Sequence, residues 1–338
     1  MAAGDHPDAG GDHPFHLTLR CAVREISVDE NGEGKRLDAY LGRYLSGAPK
    51  SLLYKQLRKK NITLNGRGAK GDERLTKGDR IQCFFSDDTF NSFMDPRLTK
   101  KGIERVQTAP AAPDIVYEDD AVILVNKPAG LLTQSAEKNG DCLNSRVVSL
   151  LIRRGEITTA DTVIFSPSAC HRLDRNTSGL VICAKTRAGA DAVSVLLRER
   201  ELEKYYVAPV HGEIEEETLV DIPLSKDEDR NMVRADEYGL PAVTEVRPLN
   251  YIKDIDVTLV KLKPVTGRPH QLRAHMALIS HPIVGDRKYG GKKTASDRAK
   301  HQLLCCYELV FPVMSGALEG LSGRKVTIHP PFESEYMI

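Results

Sequence analysis

Residues 168–186 read SACHRLDRNTSGLVICAKT and set one carboxylate, Asp174, among permanent cations, with Arg172 two residues before it and Arg175 directly after. Thr177, Ser178 and Gly179 then have turn chemistry. The apolar run from Leu180 to Ala184 has the length and branching of a buried strand. An acid held by guanidiniums at the mouth of a buried strand is either a structural ion-pair network or a working group. Composition alone favours the first reading.

The flanking sequence continues in the same grammar. DIVYEDDAVILVNKP (114–128) predicts strand, acidic turn, strand. YYVAPVHG (205–212), TEVRPLN (244–250) and DVTLVKLKPV (256–265) predict further strands, the last two alternating as half-buried antiparallel strands do. GADAVSVLLRERE (189–201) and HQLRAHMALIS (270–280) predict helices. The expected domain over 114–338 is α+β, built on a large mixed, mostly antiparallel sheet.

Upstream the chain is different. RLDAYLGRYL (36–45) and SLLYKQLRKK (51–60) have helical spacing, the second with Ser51 as its expected N-cap. NITLNG (61–66) ends in the Asn-Gly hairpin signal, and KGDRIQCFF (77–85) predicts the closing strand. These elements define a small α/β domain over 17–90 with its core at 35–90. Residues 1–16, rich in Gly, His, Asp and Pro, are expected to be a disordered tail. Residues 91–113, ending in Pro and Ala, are expected to be a linker.

Net charge over all 338 residues is +1, which hides a split: from Lys35 to Arg80 there are 13 Lys and Arg against four Asp and Glu. Such asymmetry is the electrostatic footprint of a module that meets a polyanion. Its candidate contacts are Lys50, Lys55, Arg58, Lys59 and Lys60, on or just after the second helix. Seven cysteines without a C-x-x-C pair read neither as a disulfide framework nor as a zinc site, and Cys305 and Cys306 read as small core residues. No secretory signal or membrane span is evident, so a cytoplasmic location is expected.

Several familiar chemistries are excluded. GDRKYGGKKT (285–294) misses the phosphate-loop pattern by one register. There is no G-x-G-x-x-G after a strand, no H-E-x-x-H and no G-x-S-x-G. His270, His275 and His281 lack an acid or thiol at ligand spacing, so no metal is expected. VTGRPHQLRAH (265–275) instead gathers Arg268, His270 and Arg273 at the start of a helix, a natural anion site.

HRLDRNTSGL (171–180), EKYYVAPVHG (203–212) and GRPHQLRAHMALISHPIVGDRKYG (267–290) resemble the three motifs of the RluA-type family of RNA pseudouridine synthases. DIVYEDDAVILVNKPAGLLTQ (114–134) is similar to the strand pair that opens its catalytic domain. The basic module is similar to the RNA-binding fold named after small-subunit ribosomal protein four. The resemblance covers nearly all of 35–338 and is nearest to the group that acts on large-subunit ribosomal RNA.

The resemblance implies that uridine is isomerised to pseudouridine with no cofactor, because no atoms are gained or lost. It makes Asp174 the catalytic carboxylate, attacking the sugar or taking its proton, with Arg172 and Arg175 expected to keep it ionised. It makes Arg273 the cation paired with that carboxylate. The Lys-x-Tyr spacing assigns the ring that stacks on the base to Tyr206, leaving Tyr205 on the opposite strand face. Arg172 is implied to fill the gap left by the extruded nucleotide, and Leu272 to line the uracil pocket. His171, Arg175, Arg268 and His270 are further implied substrate contacts. Pro269, where the family has Ser or Thr, is read as lying in the first helical turn.

The implied partner is structured RNA, bound by a monomer. The other readings are a transfer-RNA uridine isomerase, an inactive RNA-binding or ribosome-associated protein, and a glycosidase, which lacks an evident second carboxylate.

Overall fold

The computed structural model describes residues 23–98, 112–135, 140–227, 232–290 and 299–336. The tail expected over 1–16 and most of the linker expected over 91–113 lie outside them. The chain divides into two compact units between Asp95 and Pro96.

In the first unit, strands β1 (Val23–Ser27), β2 (Ile62–Leu64), β3 (Arg67–Gly68) and β4 (Arg80–Phe84) form an antiparallel sheet in the order β1-β4-β2-β3. The β2–β3 turn is Asn65-Gly66, both at positive φ (52° and 75°), as a tight hairpin requires. Helices Leu37–Tyr44 and Lys50–Arg58 bury Leu37, Tyr40 and Leu41, and Leu53 and Leu57, respectively. Ser51 is not the N-cap of the second helix. Pro49 is, because proline's fixed φ starts the helix two residues earlier, and no side chain caps it. Helix Asp87–Phe93, capped by Ser86 and anchored by buried Phe90, carries ordered structure into the start of the expected linker.

The second unit is built on ten strands. Its main path is β10 (Thr218–Asp221), β13 (Val243–Ile252), β14 (Val257–Pro264), β9 (Glu203–His211), β15 (Cys305–Val310), β8 (Ser178–Ala184), β6 (Val122–Lys127) and β5 (Asp114–Glu118). Short β16 (Lys325–Thr327) pairs with β15, and β7 (Ser168–Ala169) with β8. A ribbon of β11 (Leu224–Asp227) and β12 (Met232–Ala235) stands apart. The β15–β8 pairing is parallel, and the other pairings along the path are antiparallel. The sheet is therefore mixed and mostly antiparallel, as the sequence predicts.

Alternation along β9 sorts side chains between the two faces. Tyr206, Ala208 and Val210 join the main core with Val193, Leu196 and Leu272, while Val207 joins Val257, Cys305, Phe332 and Tyr336 on the other side. Among the described residues no helix is long and apolar enough to cross a membrane.

Candidate active site

Asp174 sits on the loop that leads into β8, and that loop is fixed from below. Thr177 N donates to Asp174 O at 3.1 Å, closing the turn. Thr133 Oγ1 donates to Leu173 O at 2.9 Å and also lies 3.2 Å from Leu173 N. Lys127 is fully buried, and its ammonium donates to the carbonyls of Pro128, Leu131 and Arg175 at 3.0, 2.8 and 3.1 Å. Burial draws its pKa down to about 8, opposed by the Asp174 charge. Gly179 has φ +117°, and a Cβ there would lie 2.3 Å from Cys306 O, so the parallel approach of β8 and β15 requires glycine.

Arg273 comes from helix Gln271–Leu278, 99 residues downstream in sequence. Its Nη1 lies 3.3 Å from Asp174 Oδ2. Its Nε and Nη2 hold Asp286 at 2.7 and 2.8 Å, a bidentate pair in which both side chains are buried. Burial opposes the charged guanidinium, but the Asp286 and Asp174 carboxylates outweigh it and its pKa lies above the ordinary value. His270 Nε2 is 3.7 Å from the same Asp174 oxygen. Tyr206 is buried on the core face of β9, and burial, with Cys306 and Asp174 adding, holds its phenol pKa well above the ordinary value. Arg172, Asp174, Arg175, His270, Arg273 and Asp286 line a cleft of about 410 Å³. A larger cavity of about 660 Å³ adjoins it at His301, with apolar walls from Leu131, Leu303, Phe332 and Tyr336.

Several expected placements are corrected. The cation at Asp174 is Arg273, not its sequence neighbours. Arg175 turns its Nε to Gly130 O at 3.1 Å, Arg172 is exposed, and neither pairs with Asp174 among the described residues. The physical reason is that residues close in a turn project in different directions. His171 faces the sheet rather than the cleft: its Nε2 accepts from Ile182 N at 3.2 Å, its Nδ1 is buried, and burial pulls its pKa down to about 3. Arg268 is tied by Nε to Pro241 O at 2.9 Å. Pro269 precedes the N-cap, His270, and so lies outside the first helical turn. The helix start is closed by Gln271, whose Oε1 accepts from Arg268 N at 3.0 Å and Thr266 Oγ1 at 2.7 Å. Leu272 is buried in the main core.

Tyr205 lies on the opposite face from Tyr206, hydrogen-bonded to Glu203 and covered by the Lys261 ammonium 3.9 Å from its ring centroid. The sequence reading missed Asp286, Tyr289 and Lys127. The only available signal was an Asp and a Tyr three residues apart in a loop already read as basic.

In the first unit, Lys50, Lys55, Arg58, Lys59 and Lys60 are all exposed, and none forms an ion pair among the described residues. Cations left unneutralised along one helix and its end are available to an external anion.

Comparison with known proteins identifies the family of the chain as a whole. Residues 121–278 match the pattern of the family described as RNA pseudouridylate synthase. The chain is 31% identical to ribosomal large subunit pseudouridine synthase C of Vibrio cholerae, covering 94% of this chain and 95% of that one. It is 32% identical to the protein of the same name from Escherichia coli K12, covering 80% and 81%. Among solved structures, human RNA pseudouridylate synthase domain containing 1 superposes with a TM-score of 0.52 at 25% identity, covering 67% of this chain and 89% of that one. A relative matched over nearly its whole length at this identity, on the fold described above, places the chain in the RNA pseudouridylate synthase family.

Proposed function

We propose that this protein converts uridine to pseudouridine in large-subunit ribosomal RNA, with Asp174 as the catalytic carboxylate. The observation that carries the reading is the convergence of Asp174, Arg273 and Tyr206 from three separated segments of a family member. One carboxylate lies 3.3 Å from a buried guanidinium and within electrostatic reach of a buried aromatic ring.

In this reading the target nucleotide leaves its helix and its uracil packs on Tyr206. Asp174 attacks the sugar or takes its 2′ proton, the glycosidic bond breaks, the base turns, and carbon five is joined to the ribose. The proton on carbon five leaves, the ring nitrogen freed from the sugar takes one up, and Asp174 gives back the sugar or the 2′ proton it had taken, so the net change is an isomerisation. Arg273 holds the carboxylate and balances its charge through the reaction. Arg172, at the rim of the cleft, fills the space the nucleotide vacates, and the exposed cations of the first unit hold RNA phosphates. The named relatives are the support for ribosomal RNA as the substrate.

The test is tritium release from RNA labelled at carbon five of uridine. Wild type is expected to release tritium and Asp174→Asn is not, while both bind RNA. Silence from both proteins would favour an RNA-binding protein without activity. Free uracil in place of pseudouridine would point to a glycosidase.

A further inference from the structure

Both cationic or donor groups that reach Asp174 meet the same oxygen. Arg273 Nη1 is 3.3 Å and His270 Nε2 is 3.7 Å from Oδ2, and Oδ1 has no partner among the described residues. What sets the direction of the histidine lies on its far side. His270 Nδ1 is 2.9 Å from the Tyr289 hydroxyl, and that hydroxyl oxygen accepts from Val233 N at 2.8 Å.

The hydroxyl has one hydrogen to place. Val233 N–H can only donate, so it occupies a lone pair of the phenol. Among the described residues the phenol has no acceptor other than Nδ1, and the arrangement that satisfies every group is O–H donating to Nδ1. The imidazole proton then sits on Nε2, facing Asp174. The alternative, Nδ1–H donating to the phenol, would strand the phenolic hydrogen and turn a bare Nε2 lone pair toward a carboxylate. The placement is also enforced through the main chain. His270 has φ 51° and ψ 15°, a left-handed conformation that a non-glycine residue keeps only when its surroundings hold it. The Tyr289 ring is itself fixed, edge-on to His270 and with the Arg273 guanidinium carbon 5.0 Å from its centroid.

We propose that His270 is a positioning residue for Asp174, locked by Tyr289 in the tautomer whose Nε2–H faces Oδ2, so that Oδ1 is the oxygen presented to the substrate. This rests on the reading of Asp174 as the catalytic carboxylate. It differs from a substrate contact by His270 in assigning that side chain to the enzyme's own acid. Tyr289 enters as a residue acting through His270.

The charged groups facing His270 are Asp174 and Asp286, which favour the imidazolium, and Arg273 and Lys288, which oppose it. Burial is the largest influence and, with the two cations, holds the neutral form. Loss of the Tyr289 hydroxyl removes the donor to Nδ1 and frees that nitrogen to take a proton. The resulting imidazolium would pair with Asp174 and withdraw it from the reaction.

The test is kcat, KM and the pH–kcat profile for tritium release, with RNA affinity measured alongside. Tyr289→Phe keeps the ring beneath Arg273. It is expected to lower kcat about tenfold at neutral pH with KM unchanged, and to move the acid limb of the profile to higher pH. His270→Gln keeps an N–H for Oδ2 but cannot titrate. It is expected to retain part of kcat without the histidine limb, and adding Tyr289→Phe to it should cause no further loss. Two results would overturn the proposal: Tyr289→Phe with the wild-type kcat and profile, or His270→Gln with a raised KM and an intact kcat. Failure of the underlying function looks different, because wild type itself would then release no tritium.

Discussion

Arg273 commits two of its guanidinium nitrogens to Asp286, at 2.7 and 2.8 Å, and reaches Asp174 with the third at 3.3 Å. The tighter partner is Asp286, not Asp174, the carboxylate proposed to do the chemistry. Asp286 also accepts from the amides of Lys288 and Tyr289 at 3.1 and 3.2 Å, so the guanidinium is aimed by a loop that is itself held by the acid.

Asp286→Asn leaves a buried cation with half its pair. Breaking a buried ion pair costs about 3–5 kcal/mol, and a retained amide oxygen puts this change near the lower bound. Activity should fall about a hundredfold, as expected when a catalytic group shifts by roughly an ångström. Urea denaturation and tritium release check the two parts separately. A variant as stable and as active as wild type would show that Asp286 does not aim Arg273.

Lys127 makes a prediction about pH. Its pKa is near 8 in the folded protein against an ordinary 10.5, so between those values the unfolded chain binds more protons than the folded one. Stability therefore rises with pH through that window on this residue's account, and the burden of its burial is fully felt below pH 8. Lys127→Met should flatten that part of the stability curve. It should also lower stability at pH 7 by about 1–3 kcal/mol, because the carbonyls of Pro128 and Leu131 lose this donor, while that of Arg175 keeps the Gly130 amide. Melts at pH 7, 8, 9 and 10 for both proteins test the sign.

Gly179→Ala should prevent normal folding. Its Cβ would fall 2.3 Å from one backbone atom of Cys306 and 2.5 Å from another, and its φ of +117° is closed to alanine. Neither strand can retreat without losing the sheet. Loss of about 3 kcal/mol or more is expected, read as a lowered melting temperature or insoluble expression.

Lys55, Arg58 and Lys59 are exposed cations with no acidic partner among the described residues, on or at the end of one helix. Changing all three to Ala should weaken RNA binding and reduce the slope of log affinity against log salt by about 2–3, near the value for three phosphate contacts. Titrations at four salt concentrations measure it. An unchanged slope would mean that this helix does not meet phosphates.

Strands with a clear alternation or apolar run, such as β6, β8, β9 and β14, were legible, whereas β15 and the β11–β12 ribbon were not. The choice of Tyr206 came from the Lys-x-Tyr spacing of the family resemblance, and strand alternation only put Tyr205 on the other face. The geometry around Asp174 was only partly legible. Sequence proximity put Arg172 and Arg175 at its side, and Arg273, 99 residues away, was paired with it only through the family resemblance. The same blindness hid Lys127. Its burial follows from three carbonyls that converge only after the loop has closed, and no pattern of side chains announces a cluster of main-chain acceptors. Asp286 and Tyr289 were concealed in a run that looked like an ordinary basic loop.

β15 lies between β9 and β8, and so joins the two halves of the large sheet. Yet residues 305–310 are among the last strands to be made. Without β15 the strand bearing Tyr206 and the strand that follows Asp174 belong to two separate antiparallel groups, β10-β13-β14-β9 and β8-β6-β5, each with an unpaired inner edge open to mispairing. The relative placement of Tyr206 and Asp174 within the sheet therefore depends on a strand distant in sequence from both, and such long-range pairings are slow to form.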